Sequence, residues 1–171
     1  MGGAGNVIFV VMGVCGTGKS TVANVLAERL GCEQAEADDF HSAANVAKMA
    51  AGVPLEDSDR WPWLRQIAGW IHERDLAGRP AVVTCSALKR AYRDALRTGS
   101  PRICFIHLAG SRELILDRMQ RRTDHFMPAS LVDSQFAILE PLGPDERGVV
   151  LDVAQPPAVL ASAALAALQD G

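Results

Sequence analysis

The sequence has little lysine, no closely paired cysteines and no long apolar segment near its start. Only three of the seventeen basic residues are lysines, namely Lys19, Lys48 and Lys89. The net charge is −3 and no run of five like charges occurs, which argues against a nucleic-acid-binding or membrane-binding surface. The first apolar run is short, lacks preceding basic residues and enters a glycine-rich loop. We therefore expect neither a signal peptide nor a membrane span there.

The four cysteines lie far apart and form no C-x-x-C pair. Cys85 and Cys104 stand inside apolar runs, where a buried thiol is expected, so the sequence predicts a reduced, cytoplasmic protein. With 171 residues, 49% hydrophobic and 22% charged, the chain has the size and balance of one globular domain, covering residues 1–171.

Short apolar runs alternate with helical patterns along the chain. Strands are predicted at residues 7–12, 34–37, 81–85, 103–108 and 149–153. Helices are predicted at residues 19–30, 42–51, 59–77, 86–97, 112–122, 129–140 and 158–169, with Ser42, Ser86 and Ser111 as N-caps. This alternation predicts an α/β fold, with parallel strands, right-handed crossovers and helices on both faces of the sheet.

A phosphate-binding motif, G-x-x-x-x-G-K-[ST], joins the first predicted strand to the first helix. Its glycines allow backbone N–H groups to converge on phosphate oxygens, and the helix N-terminus adds positive potential. Lys19 can bridge the β- and γ-phosphates, and the Ser20 hydroxyl can bind Mg²⁺. The candidate ATP-binding residues here are Gly13, Val14, Cys15, Gly16, Thr17, Gly18, Lys19, Ser20 and Thr21.

Other motifs do not favour a GTPase or a motor ATPase. A guanine-reading N-K-x-D is absent from the sequence. The D-x-x-G at residues 145–148 precedes the last predicted strand, so we interpret it as a turn. Asp152 ends an apolar strand that is similar to a Walker-B strand, but it lies at the wrong end of the chain, which favours a simple polar strand terminus.

Two carboxylates, Glu36 and Asp38, stand at the end of the second predicted strand. The carboxyl ends of strands line the ligand crevice in open α/β sheets, and residues two apart in an extended segment share a face. Asp38 is our candidate general base for an attacking hydroxyl, and Glu36 is the candidate partner of Mg²⁺ through water. A solvated acidic turn is the alternative.

Several further blocks resemble the gluconate kinase (gluconokinase) family, and the resemblance extends over about residues 7–153. The most specific blocks are P-L-x-D-x-D-R-x-P-W-L at 54–64 and C-S-A-L-K at 85–89. The remaining ones are His41-x-x-x-Asn45-x-x-Lys48-Met49, Tyr92-Arg93-Asp94-x-Leu96-Arg97 and His125-Phe126-Met127-Pro128 continuing to Glu140.

This resemblance implies ATP- and Mg²⁺-dependent phosphorylation of D-gluconate at its 6-hydroxyl by a homodimeric enzyme. The implied fold is like that of shikimate kinase, with five strands in the order 2-3-1-4-5. It has an acceptor-binding segment at about 38–77 and a short lid at about 118–130. The implied substrate-binding residues are Asp38, His41, Asn45, Lys48, Arg60, Ser86, Lys89, Arg93, His125 and Gln135.

For the lid, the resemblance implies that Arg118 contacts adenine or ribose. Either Arg121 or Arg122 would then contact the transferred phosphoryl group, and one sequence does not rank the two.

The chemistry of a polyol with one carboxylate explains these residue types but leaves individual roles open. Arg60 offers a planar fork for the carboxylate, or it pairs with Asp57 or Asp59 on its own helix. Asn45 and Lys48 share a helix face, where each either lines the site or supports its loop. The three tryptophans are interpreted as packing residues: Trp61, Trp63 and Trp70.

Two rival functions remain at this point. One is phosphorylation of another small metabolite by the same fold, as in shikimate kinases. The other is a non-catalytic nucleotide-binding module. Asp38, the arginine-rich lid and a complete acceptor loop favour catalytic turnover.

Overall fold

A computed structural model of the protein describes residues 6–121 and 129–168. Five strands are present, namely β1 Ile8–Met12, β2 Glu33–Glu36, β3 Ala81–Thr84, β4 Ile103–Ala109 and β5 Gly148–Asp152. They form one parallel sheet in the order β2-β3-β1-β4-β5, which is the order that the family resemblance implies. The helices are α1 Lys19–Leu30, α2 Ala43–Ala50, α3 Asp57–Leu76, α4 Arg90–Arg97, α5 Arg112–Gln120, α6 Ala129–Ile138 and α7 Pro157–Ala167.

Helices cover both faces of the sheet, which gives the expected three layers. On one face, Val22 and Leu26 of α1 and Leu160 of α7 pack against Phe9 and Ile106. On the other face, α3 and α4 bury Leu64, Ile67, Ile71, Tyr92 and Leu96 against β1, β3 and β4. Each large apolar side chain buried in these layers contributes about 1.5–3 kcal/mol relative to exposure.

Ser42 and Ser111 are N-caps, as predicted. The Ser42 hydroxyl accepts a hydrogen bond from the Asn45 N–H at 3.1 Å, and the Ser111 hydroxyl accepts one from the Leu114 N–H at 3.1 Å. Each bond satisfies one of the N–H groups that the first helical turn leaves without a partner.

The prediction for Ser86 is wrong, because α4 begins at Arg90 and Lys89 is its N-cap residue. Residues 85–88 instead form an irregular turn, which the pattern of side chains alone did not reveal. Strand β5 lies at the sheet edge, as the implied strand order places it, and it alternates between exposed and half-buried residues. None of the helices in the described ranges is long and apolar enough to cross a membrane.

Candidate active site

The phosphate loop leaves the carboxyl end of β1 and leads directly into α1. Gly16 and Gly18 have φ values of +82° and +85°, a conformation that side-chain-bearing residues seldom adopt. A Cβ at Gly16 would also lie 2.9 Å from Met119 Cγ. Gly18 is the N-cap residue of α1 and has no side chain to cap it, so the first amides of the helix remain available for phosphate oxygens.

Lys19 is folded back over this loop. Its Nζ donates hydrogen bonds to the carbonyl oxygens of Gly13 at 3.1 Å and Val14 at 3.0 Å. Loss of solvent around the ammonium group lowers the pKa of Lys19 from its ordinary value, although the nearby Asp38 and Glu36 oppose this shift. The only lysine of α1 is therefore held where a phosphate chain on the loop would meet its charge.

Ser20 and Glu36, the two predicted metal-site residues, lie together. The Ser20 hydroxyl donates to Glu36 Oε2 at 3.0 Å, and the Thr84 hydroxyl at the end of β3 donates to the same oxygen. Gln34 donates to Glu36 Oε1 at 3.2 Å and fixes the other side of the carboxylate. Thr84 was not among the predicted site residues, although its place near the carboxyl end of a predicted strand was an available signal.

These oxygen donors suit Mg²⁺, which prefers hydroxyl, carboxylate, water and phosphate oxygens. Within the described ranges, no group of three or more His, Cys, Asp or Glu side chains could hold a metal ion. A metal ion bound here would therefore depend on Ser20, on Glu36 and on the nucleotide's own oxygens.

Asp38 lies in a short 3₁₀ turn, Ala37–Phe40, just beyond β2, and its side chain is 93% exposed. His41 Nε2 is 4.0 Å from Asp38 Oδ1. The His41 ring stacks on Trp63 with centroids 4.3 Å apart, and burial lowers the pKa of His41. Trp63 in turn donates its indole N–H to the Ala37 carbonyl at 2.7 Å. The stacked rings of His41 and Trp63 thus support the turn that carries the exposed carboxylate of Asp38.

Asn45 and Lys48 support the acceptor loop in this structure. Asn45 is buried and donates to the Asp59 carbonyl at 3.0 Å, and its amide nitrogen lies 3.2 Å from His41 Nδ1. Lys48 Nζ lies 2.8 Å from Asp59 Oδ2, and this hydrogen bond lowers the pKa of Asp59. These contacts tie α2 to the start of α3 and so fit the supporting role, while substrate binding by either residue stays a prediction.

A polar cluster forms where α3 meets α4, and we call its four residues, Asp57, Arg60, Lys89 and Tyr92, the acceptor cluster. Arg60 Nη1 donates to Asp57 Oδ1 at 3.2 Å and to the Tyr92 hydroxyl at 2.9 Å. The Tyr92 hydroxyl donates to Asp57 at 2.5 Å, and Lys89 Nζ lies 3.7 Å from Asp57. Burial makes the largest contribution and the hydrogen bond to Asp57 the next largest, and together they raise the pKa of Tyr92 to about 12.

The acceptor cluster carries two cations against one carboxylate, and so retains one positive charge. Its hydrogen bonds, with that from Tyr92 as the largest contribution, lower the pKa of Asp57 and keep it ionised. No role was predicted for Tyr92, and Asp57 was considered only as a partner for Arg60. Asp57 stands inside the specific block at 54–64 and Tyr92 inside one of the remaining blocks, which was the available signal.

Arg93, which the family resemblance places among the substrate-binding residues, lies outside the acceptor cluster. It is fully buried and forms a two-point ion pair with Glu146, with distances of 2.6 and 3.1 Å. Its remaining bonds go to the carbonyl oxygens of Ala87, Leu88 and Pro141. The guanidinium hydrogen bonds therefore all go to protein oxygens in this structure, and substrate binding by Arg93 stays a prediction that none of these contacts supports.

Gln135 and Ser86 contact the phosphate loop. Gln135 Oε1 accepts a hydrogen bond from the Cys15 N–H at 2.7 Å, and the Ser86 carbonyl accepts one from the Gly13 N–H at 3.2 Å. Arg118 donates to the Val153 carbonyl just beyond β5, and Arg121 forms an exposed ion pair with Asp117 at 3.2 Å. Arg122, His125 and most of the predicted lid lie outside the described residues.

A strand, phosphate loop and helix at the centre of a 2-3-1-4-5 sheet, together with the acceptor cluster near the N-terminal ends of α3 and α4, define the chain as a P-loop kinase. A family model described as an AAA domain matches residues 8–142. A gluconokinase of Gluconobacter oxydans is 54% identical over 138 residues, which cover 81% of this chain and 78% of that protein. The chain belongs to the gluconokinase family.

Solved structures agree with this membership. A gluconokinase from Sinorhizobium meliloti superposes with a TM-score of 0.87 at 46% identity, and the match covers 97% of this chain and 93% of the other. An unliganded sugar kinase from Janibacter sp. gives a TM-score of 0.90 at 54% identity, covering 96% and 95% of the two chains.

Proposed function

We propose that the chain transfers the terminal phosphoryl group of ATP to the 6-hydroxyl of D-gluconate, forming 6-phospho-D-gluconate and ADP. The observation that carries this proposal is the acceptor cluster beside the phosphate loop, with one excess positive charge for a substrate that has one carboxylate. Family membership supports the same reaction.

The nucleotide would bind with its phosphates on the loop amides and the N-terminus of α1. Lys19 would exchange its two loop carbonyls for phosphate oxygens and neutralise charge that develops during transfer. Ser20 and Glu36 would hold Mg²⁺, which when bound neutralises phosphate charge and orients the transferred group. Arg118, Arg121 and Arg122 remain our candidates for closing over the nucleotide.

The acceptor would bind across the crevice, with its carboxylate end at Arg60 and Lys89. Arg60 presents a planar edge for two-point recognition, and Lys89 adds a compact charge. The hydroxyl at the other end would reach Asp38, whose exposed carboxylate can accept the proton as phosphoryl transfer proceeds. His41 would hold a hydroxyl beside Asp38, and we retain His125 and Gln135 as further candidates.

A coupled ADP-release assay tests this proposal when D-gluconate, shikimate and the neutral polyol sorbitol are supplied as acceptors with ATP and Mg²⁺. We expect release to depend on gluconate and to exceed the rate with sorbitol by at least about tenfold, since sorbitol lacks the carboxylate. Preference for shikimate would favour the shikimate-kinase-like alternative. Bound ATP without acceptor-dependent release would favour a non-catalytic module.

We also propose a homodimer in the cytoplasm, on the family resemblance. Light scattering coupled to size-exclusion chromatography measures the molar mass directly. A mass of one chain at assay concentration would contradict the dimer.

A further inference from the structure

The turn between β3 and α4, residues 85–89, has an unusual backbone. Ala87 has a φ of +45°, and among the described residues it is the one non-glycine residue with a positive φ. A side-chain-bearing residue is strained in this region, and such strain persists only where the surroundings hold it. The surroundings of Ala87 therefore have to hold the turn in place.

Arg93 supplies that restraint from the first turn of α4. Its Nη1 donates to the Ala87 carbonyl at 2.9 Å and to the Leu88 carbonyl at 3.3 Å. Glu146 fixes the opposite edge of the guanidinium, and Glu146 also accepts from the Gly143 N–H at 3.0 Å. Both charged side chains are fully buried, so the ion pair is shielded from water and rigidly oriented.

The restrained turn leads directly to an acceptor residue. Lys89 follows Leu88 and brings its Nζ to 3.7 Å from Asp57 and 5.5 Å from the centre of the Tyr92 ring. At its other end, the turn meets the phosphate loop through the Ser86 carbonyl and the Gly13 N–H. Arg93 bonds the two carbonyls nearest Lys89, so its effect should fall on the acceptor side.

We infer that the buried Arg93–Glu146 pair is a positioning device that holds the strained 85–89 turn so that Lys89 reaches the acceptor cluster. Arg93 acts through Lys89 and touches no substrate atom. This inference rests on the proposed function, because it requires that the acceptor cluster binds gluconate.

Steady-state kinetics of Arg93→Lys test the inference. Lysine keeps the charge but cannot bond both turn carbonyls and both Glu146 oxygens at once. We expect the KM for gluconate to rise about tenfold, the size of one lost hydrogen bond to a charged group, while the Kd for ATP changes less than about threefold. Arg97→Lys is the matched control, since Arg97 is an exposed residue of α4 that pairs with Asp94 at 3.4 Å.

The double variant Arg93→Lys with Ala87→Gly separates positioning from general stability. Glycine adopts a positive φ without strain, so the turn should need less restraint, and part of the lost gluconate affinity should return. If Arg93→Lys does not fold, Glu146→Gln provides the same test, with an expected rise of about threefold in the KM for gluconate. A folded variant with a lower Tm and an unchanged KM would mean a purely structural role and would overturn the inference.

Lys89→Ala distinguishes failure of this inference from failure of the proposed function. A tenfold rise in the KM for gluconate in Lys89→Ala, with no rise in Arg93→Lys, overturns the positioning role alone. An unchanged KM in Lys89→Ala overturns the assignment of the acceptor cluster and the inference with it.

Discussion

Replacing Arg60 with lysine keeps the charge of the acceptor cluster but removes the planar edge that a carboxylate engages at two points. Within the described residues, the hydrogen bonds of Arg60 run from Nη1 to Asp57 and Tyr92, which leaves Nε and Nη2 for a ligand. The side chain is 25% exposed, so a bound carboxylate would be partly shielded from water. One hydrogen bond to a charged group is worth ~1.5–3 kcal/mol, which corresponds to roughly 10- to 150-fold in kcat/KM.

The assay compares kcat/KM of Arg60→Lys with gluconate and with sorbitol, using coupled ADP release. We expect the loss with gluconate only, because sorbitol offers no carboxylate. Arg65→Lys is the matched control, since Arg65 is an exposed arginine of the same helix. Equal losses with both acceptors would refute the reasoning and would mean that Arg60 only supports the fold of the crevice.

Three further predictions concern Lys19 of the phosphate loop, the candidate general base Asp38, and the stability of the fold at acidic pH. Lys19→Ala should lower kcat at least ~10²-fold in the ADP-release assay while the protein stays folded, because Lys19 neutralises phosphate charge and its hydrogen bonds go to two loop carbonyls; a kcat above a tenth of the original would contradict this. Asp38→Asn should lower kcat by ~10²–10⁴-fold and leave the Kd for ATP within a few-fold, and a collapse of ATP binding without loss of kcat would indicate a metal-site residue instead. Burial lowers the pKa of His107, whose Nδ1 has no hydrogen-bond partner among the described residues. The unfolded chain therefore binds the proton more readily, and the contribution of His107 to stability is complete above about pH 6.5 and is lost as the pH falls below it. His107→Leu should flatten the fall of Tm between pH 7 and pH 5, and an equally steep fall would contradict this role.

The phosphate loop could be predicted from the sequence in position and residue roles because its geometry is local. A buried strand, three glycines and a helix start follow one another between residues 8 and 30, and backbone conformation alone brings the amides together. The pairing of Ser20 with Glu36 was predictable for a similar reason, since Glu36 ends β2, Ser20 follows the loop after β1, and the carboxyl ends of these strands share one edge of the sheet. Thr84 ends β3 at the same edge, but it was not predicted as a site residue because it lies inside the predicted strand 81–85.

The region around α4 was not predictable in the same way. The sequence predicts a helix that begins at Ser86, because no sequence pattern indicates that Ala87 will take a positive φ and delay the helix to Arg90. Arg93 holds that conformation by bonding Ala87, six residues away, and Arg93 is itself oriented by Glu146, fifty-three residues away.

The sequence by itself determined the alternation of strands and helices and the phosphate loop, because periodicity and local motifs encode them. The sheet order and the candidate acceptor residues followed from the family resemblance. Only the tertiary structure decided that Tyr92 faces Asp57 and Arg60 while its neighbour Arg93 faces Glu146. Successive residues of a helix point about 100° apart, so one of such a pair can face the crevice and the other the interior. Which one does so depends on how α4 packs against the sheet and α3, and that packing is set by residues distant in the chain.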